Sequence, residues 1–597
     1  MRVQVDQAGN DDEARHIDDF SSLEIRGYRG DAISGDRDVH DAVDIVGWID
    51  DAASVKNDVV WLGASRKAQK HDETHDCPHE LHNKPKEPDM PFSRRKLFQT
   101  GGAVAAGLAA GPPARAAVPT PDVYTRIGVR PFINCTATLT INGGSLTLPE
   151  VIAAMEQAAH FHVDLDELME RVSGRLAELL HVDWAIVTAG TAAALTHATA
   201  ACLVGTDPEK IQRLPNLEGL KDEVIIPRES RNAYDHAIRT LGVKIVEVNN
   251  RDELRRAIGP HTAMIEILGN HFGHAELDLK DVAPIAREQK IPILVDAAAD
   301  YLIVPNPYLA LGADLVAYSG GKVIRGPQGA GLLIGRKDLV RAAWANSAPH
   351  HAFGRALKVT KEEIAGMLAA VEVWRGGRDI EDDFKLWKGW YAQISERITK
   401  VEGISATVIP PVRGGPFPTL RVSWDNRKFD ITAGEVGRKM REGEPRIMTQ
   451  AAGEGNSFLI RPVALKPGEH MIVAERLVQV LSSAPEASTK IPAPPAANIT
   501  GAWDVDIEYE VGSARHKLYF TTDRNQISGT HRGWAYEGDL SGQLQGNQVK
   551  FRSTLPADGN VLTYTFIGSL SGATMSGDVQ LGEYGRARWR AVRHSGA

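Results

Sequence analysis

The stretch 291–335, IPILVDAAADYLIVPNPYLALGADLVAYSGGKVIRGPQGAGLLIG, constrains this chain more than any other. An apolar run ends on a carboxylate, Asp296, and a second run, Asp314–Tyr318, delivers Ser319-Gly320-Gly321-Lys322. Gly326, Pro327, Gly329 and Gly331 then supply turn chemistry ahead of a third apolar run, Leu332–Ile334. Short apolar runs bounded in this way read as buried strands. A lysine on a glycine-flanked loop after one strand, with a carboxylate ending the strand before it, is the pairing that pyridoxal 5'-phosphate (PLP) requires. The lysine forms a Schiff base with the cofactor, and the carboxylate keeps the pyridine nitrogen protonated.

Two rival readings of the same letters fail on context. A nucleoside-triphosphate loop needs Ser or Thr after its Gly-Lys, and Val323 follows Lys322. The run Gly326–Gly331 has the look of a dinucleotide fingerprint, yet it precedes a strand instead of opening a helix.

Upstream lies a candidate phosphate site. Trp184–Val187 reads as a strand, followed by Thr188-Ala189-Gly190-Thr191 and an alanine-rich helix from Ala192. A strand, a small-residue turn and a helix N-terminus together offer unpaired N–H groups and a positive dipole end, so Ala189, Gly190 and Thr191 are cofactor-binding candidates. The next strand, Glu223–Ile226, opens onto PRESRNAYDHAIRTLG, where Asn232, Tyr234 and His236 are candidates to stack on or bond to the pyridine ring. Ser319, just before the lysine loop, joins the cofactor set. His271 and His274 follow a further strand and are weaker candidates for the cleft. Strands and helices alternate from Pro121 to about Ile404, as in a mostly parallel α/β sheet.

Composition excludes some function classes. The formal charge of −9 over 597 residues argues against a nucleic-acid surface. Three cysteines imply no disulfide framework. Residues 1–92 are rich in Asp, His and Arg and read as a solvated leader; the cluster His71, His75, Cys77, His79 and His82 lacks a second ligand pair, and no metal is expected. Residues 93–117 carry Arg94-Arg95, a small-residue apolar run and Ala114-Arg115-Ala116, the layout of a twin-arginine export signal. The expectation is a periplasmic or extracellular protein without a stable membrane span, and a true start at Met90.

Residues 118–403 are read as the cofactor-binding large domain and 404–487 as a smaller α+β unit. In the latter, Arg421, Arg446 and Arg461 compete as a carboxylate clamp, with Arg446 preferred. A Pro/Ala linker, 488–498, leads to 499–597, whose short alternating strands and Gly/Asn turns read as a small antiparallel barrel or sandwich.

The segments RPFINCTATLTINGGSLTLPEVIAAMEQAA, TAGTAAAL, VDAAAD, SGGKVIRGPQGAGLL and RALKVTKEEIAGMLAAVE together resemble the selenocysteine-synthase-like group. That group contains the bacterial seryl-tRNA selenium transferases and the D-glucosaminate-6-phosphate ammonia-lyase type. The resemblance covers roughly Tyr124–Val480. It implies a fold type I PLP enzyme with Lys322 as the Schiff-base lysine, and places Arg355, Lys358 and Lys361 near the active site, against an anionic group of the substrate. It also implies a homodimer or larger homo-oligomer. The tRNA-binding domain of the transferases is replaced here by the leader and export signal, so a small-molecule amine is the expected substrate and α,β-elimination with ammonia release the expected reaction. Transamination, aldol cleavage and a non-catalytic binding role are the alternatives.

Overall fold

The computed structural model describes residues 122–269, 275–412, 415–451, 455–485 and 493–594. The leader, the export signal, His271 and His274 lie outside the described residues. No helix among the described residues is long and apolar enough to cross a membrane.

A seven-stranded sheet forms the centre of the large domain. Its strands are β1 (Trp184–Thr188), β2 (Glu223–Pro227), β3 (Lys244–Val248), β4 (Thr262–Leu268), β5 (Ile293–Asp296), β6 (Leu315–Ser319) and β7 (Gly331–Gly335). Their order across the sheet is β1-β7-β6-β5-β4-β2-β3. Only β7 runs against the others, pairing antiparallel with both β1 and β6. Strands β5, β6 and β7 are almost wholly buried, as expected where helices cover both faces of a parallel sheet. The fold class expected from the sequence therefore holds: a mostly parallel large domain, a small α+β unit and an added antiparallel β domain.

Helices α1 (Pro149–Ala159), α2 (Leu165–Leu180) and α3 (Gly190–Val204) flank the first strand. Asp164 starts α2 by accepting the Glu167 N–H, which satisfies one of the orphan donors of a helix start. Helix α3 begins at Gly190, two residues ahead of the expected Ala192, because Gly190 adopts φ +75° and turns the chain straight into the helix. Asp314 ends up outside β6: its carboxylate accepts the Ile293 N–H and pairs with Arg336 at a strand corner.

The smaller unit has a four-stranded sheet containing β8 (Ile404–Ile409), β9 (Thr419–Trp424), β10 (Gln450–Ala451) and β11 (Ser457–Ile460). Its core departs from the boundary expected at residue 403. Trp387, Trp390, Tyr391, Ile394 and Ile398, on the helix Ile380–Ile398, pack into it, together with Ile133, Cys135 and Ala137. Bulky apolar side chains on one face of that helix decide the matter, since they find their burial here and not under the large sheet. The chain 133–137 is held by a short parallel pairing with Ile447–Met448, and 144–148 then runs along the Lys322 loop.

The last unit is a closed barrel of β12 (Gly501–Glu508), β13 (Ser513–Asp523), β14 (Gln526–Arg532), β15 (Glu537–Gln545), β16 (Gln548–Ala557), β17 (Asn560–Ser571), β18 (Thr574–Gln580) and β19 (Arg586–Arg593). Strict in-out alternation, as in β12 and β16, sends Trp503, Phe551, Phe566 and Trp589 inside. The described end of the Pro/Ala stretch is not a free tether. Ala493 and Ala496 bond to Asn525 and Gly546 at the base of the barrel.

Candidate active site

Four of the parallel strands, β1, β2, β5 and β6, end at the same edge of the sheet, where open α/β sheets hold their ligands. From β5 comes Asp296, from β6 the loop of Lys322, from β2 the turn of Asn232 and Tyr234, and from β1 the turn of Gly190 and Thr191. The Lys322 Nζ stands 5.9 Å from the centre of the Tyr234 ring.

Asp296 is only 3% exposed and its Oδ1 accepts the Ala298 N–H at 3.0 Å. Burial pushes its carboxyl above the usual carboxylate range, while the Ala298 N–H and the Lys322 charge pull it down and Asp300 and Asp235 push it up again. Burial holds the Lys322 amine below its ordinary value, against the pull of Asp296 and Asp300. That is the state a nucleophilic lysine needs, since only the free amine attacks a carbonyl. Asp300, in turn, accepts a short hydrogen bond from the Tyr308 hydroxyl.

The phosphate turn is built from close backbone contacts. Gly331 abuts Gly190 so tightly that a Cβ on it would lie 2.4 Å from the Gly190 carbonyl carbon. The Thr188 hydroxyl donates to the Gly190 carbonyl at 2.8 Å. The Thr191 hydroxyl, 8% exposed at the start of a fifteen-residue helix, is buried without a hydrogen-bond partner. So is the Ser145 hydroxyl, on the segment whose N–H donates to the Gly321 carbonyl. Buried polar atoms are rarely left unpaired, and these orphans, a desolvated amine and a buried carboxylate match the phosphate, aldehyde and ring nitrogen of PLP. When bound, PLP supplies an electron sink for charge that develops on a substrate carbon.

Other sequence-named residues lie elsewhere. The Asn232 side chain is used within its own turn, accepting the Tyr234 N–H at 2.8 Å and donating to the Ser230 carbonyl at 3.0 Å. Ser319 ends β6 opposite Gly331. Arg355 and Lys358 are exposed on the loop before the helix Lys361–Arg375. Lys361 is occupied by the Ala158 carbonyl and by Glu362. Arg446, the preferred clamp, instead donates to the Arg130 carbonyl and lies over Phe132, because the Ile133–Ile447 pairing draws it to the N-terminal strand. Arg421 points outward from β9. Arg461 lies beside Thr136 and bonds Gln450, and burial lowers its guanidinium pKa without an acidic partner being close. Sequence reasoning passed over Ser145, Asp235, Asp300 and Tyr308. Asp300 had a signal, the second carboxylate of VDAAAD; the others are brought in by chain crossings.

The comparisons with known proteins agree with this geometry. The Aminotransferase class-V family model matches residues 150–358. D-glucosaminate-6-phosphate ammonia lyase of Salmonella typhimurium is 27% identical over 377 residues, 61% of this chain and 99% of the relative. A solved structure of a D-glucosaminate-6-phosphate ammonia-lyase is 27% identical and aligns over 61% of this chain and 99% of its own with a TM-score of 0.55. The 5'-C-glycyluridine monooxygenase-decarboxylase of a Streptomyces species is 30% identical over 379 residues, 60% of this chain and 92% of the relative. The L-seryl-tRNA(Sec) selenium transferase of Moorella thermoacetica is 26% identical, over 60% of this chain and 83% of the relative. With a buried lysine by a strand-terminal carboxylate at the sheet edge, and a relative 30% identical of which the chain covers 92%, the chain belongs to the selenocysteine-synthase-like family of PLP-dependent enzymes.

Proposed function

We propose that this enzyme acts on a small amino acid or amino-sugar acid by α,β-elimination: the α-proton and a β-leaving group depart, and water hydrolyses the resulting imine to a keto acid and ammonia. The observation that carries the reading is the desolvated Lys322 amine beside the buried Asp296, at a site with unspent Thr191 and Ser145 hydroxyls. Thr191 and the N–H groups that open α3 would hold the cofactor phosphate. Asp296 would hold a proton at the ring nitrogen, and Tyr234, whose ring lies by Lys322, would be the side chain to cover the cofactor ring. With the substrate bound, the Lys322 amine would be the group placed to accept the α-proton, and burial, which holds it below its ordinary value, favours the neutral form that can do so. Asp300 sustains the local negative charge on which the lysine and Asp296 are balanced. Arg355 and Lys358, exposed on the loop before the helix Lys361–Arg375, are proposed on the family resemblance to meet an anionic substrate group. The similarity to an ammonia lyase on an amino-sugar acid phosphate supports elimination, and the overall negative charge supports a small substrate over tRNA.

The test is ammonia and keto-acid release from a panel of amino acids, amino-sugar acids and their phosphates, with Lys322→Ala as the control. No release from any member, with transamination or aldehyde formation instead, overturns elimination. A relative named as a monooxygenase-decarboxylase favours a second reading, oxygen-dependent decarboxylation, which an oxygen electrode in the same assay detects.

Two expectations from the sequence join this proposal. Ile141, Leu146, Ile152, Phe161 and Val163 are exposed apolar residues on 141–163, next to the segment along the Lys322 loop, which supports a homodimer or larger homo-oligomer; light scattering that gives a monomer overturns it. Export is proposed on Arg94-Arg95, and Arg94→Lys with Arg95→Lys should retain the protein in the cytoplasmic fraction.

A further inference from the structure

The barrel meets the catalytic sheet beside the active site. Its β16–β17 turn, Asp558-Gly559, rests on the turn and short helix that follow β2. Gly559 has φ +80°, and a Cβ on it would stand 2.6 Å from the Asn232 carbonyl oxygen, 2.7 Å from Asp235 Oδ2 and 2.8 Å from the Asn232 nitrogen. Beside it, Asp558 Oδ2 accepts from the Tyr536 hydroxyl at 2.6 Å and from Arg239 Nη1 at 3.4 Å. On the other side of the contact, Asp235 is 2% exposed and pairs with Arg231, and its charge is felt at Asp296. Asn232 fixes the backbone of Tyr234 through its side-chain oxygen. The ring that faces Lys322 is therefore carried on a turn clamped from the barrel side, although it is itself 54% exposed and has little packing of its own.

We infer that the Asp558–Gly559 turn of the barrel is a positioning element of the active site: it holds Asn232–Asp235 and so sets where the Tyr234 ring stands over the cofactor. This rests on the reading of Tyr234 as the residue that covers the ring. Gly559 and Asp558 are the positioning residues, and they touch neither substrate nor cofactor. The C-terminal domain thereby becomes part of the catalytic unit and not a passenger behind a linker.

The experiment uses full-length protein loaded with PLP, read by visible circular dichroism of the bound cofactor and by its dissociation constant. The variants are Gly559→Ala, Asp558→Asn, Tyr234→Ala and Gly572→Ala. Gly572 is the control, because it too has positive φ (+59°) in a barrel turn but nothing within 4 Å of a Cβ. Gly559→Ala and Asp558→Asn are expected to change the dichroism in the direction that Tyr234→Ala does and to weaken PLP about threefold to tenfold, while Gly572→Ala leaves both unchanged. Adding Gly559→Ala to Tyr234→Ala should have little further effect. The inference is overturned if Gly559→Ala and Asp558→Asn behave like Gly572→Ala, or if their effects persist undiminished without the Tyr234 ring. It also falls if Tyr234→Ala leaves the dichroism unchanged, in which case the fault lies in the reading of Tyr234. Asp558 has φ +45°, a backbone that Asn tolerates as Asp does, so Asp558→Asn, which removes the charge and keeps the backbone, decides the matter by the same outcomes should Gly559→Ala fail to fold.

Discussion

Two clusters of buried polar groups in this molecule look alike in composition and differ in what they leave undone. At the sheet edge, Lys322, Asp296, Asp300 and Tyr308 bring opposite charges together beside the orphaned hydroxyls of Thr191 and Ser145. Inside the barrel, His516 Nδ1 meets His531 Nε2 at 2.8 Å, His531 Nδ1 meets Ser553 Oγ at 2.6 Å, and the rings of Tyr564 and Phe566 close around them. The barrel cluster is neutral and paired; burial depresses the His531 pKa to about 3, helped by the neighbouring His516. A buried titratable group is thus not a site in itself. Unspent hydrogen bonds and charges held in opposition mark a place suited to a ligand, whereas a completed network is part of the core.

That contrast can be broken in several ways. Lys322→Ala should show the largest effect, a fall in turnover of about 10⁴-fold with loss of the yellow, borohydride-trapped adduct, because it removes both the cofactor's covalent anchor and the proton acceptor. Wild-type turnover in this variant would move the chemistry elsewhere. Next comes Asp296→Asn, expected to cost about 10²–10³-fold with the cofactor still bound, since the proton on the ring nitrogen loses its charged partner. Thr191→Val should leave the fold intact and raise the PLP dissociation constant about 10- to 100-fold, the worth of a hydrogen bond to a charged group. An unchanged constant would place the phosphate at another turn.

The barrel cluster should respond to pH and not to cofactor. The folded His531 pKa lies below the unfolded value of about 6.5, so the unfolded chain takes up the proton first. Barrel stability is then fully present above about pH 6.5 and falls toward pH 3, at up to about 1.4 kcal/mol per pH unit for this one group. His531→Phe should flatten that acid limb in thermal melts while PLP content stays the same. A variant with the wild-type acid slope would show that His531 does not carry it.

The catalytic edge was legible because its signals are local: a strand that stops on Asp296, a glycine loop that presents Lys322, a strand-turn-helix around Gly190. The alternation that builds the barrel is local as well, with period two clearest in β12, β16 and β19. Choices among equivalent residues were not legible. Arg446 and Arg461 sit in similar strand contexts, and only the parallel pairing of Ile133 with Ile447 shows that the first is drawn onto Phe132. The helix Ile380–Ile398 looks the same in sequence whichever core receives its tryptophans. The contact of Gly559 with Asn232 joins positions far apart in the chain, and a turn glycine gives no hint of what lies against it.

Closure of the barrel has a consequence for traffic with other molecules. Because β12 pairs with both β13 and β19, the ring offers no strand with a free row of amides, and neither an extended peptide nor a second barrel can add to it as a further strand. Recognition by this domain must therefore pass through side chains, on the outer face of its strands or at its turns. One of those turns already presses on the catalytic domain, and the neighbouring one holds up Trp534, 94% exposed, as the largest apolar surface it has to offer.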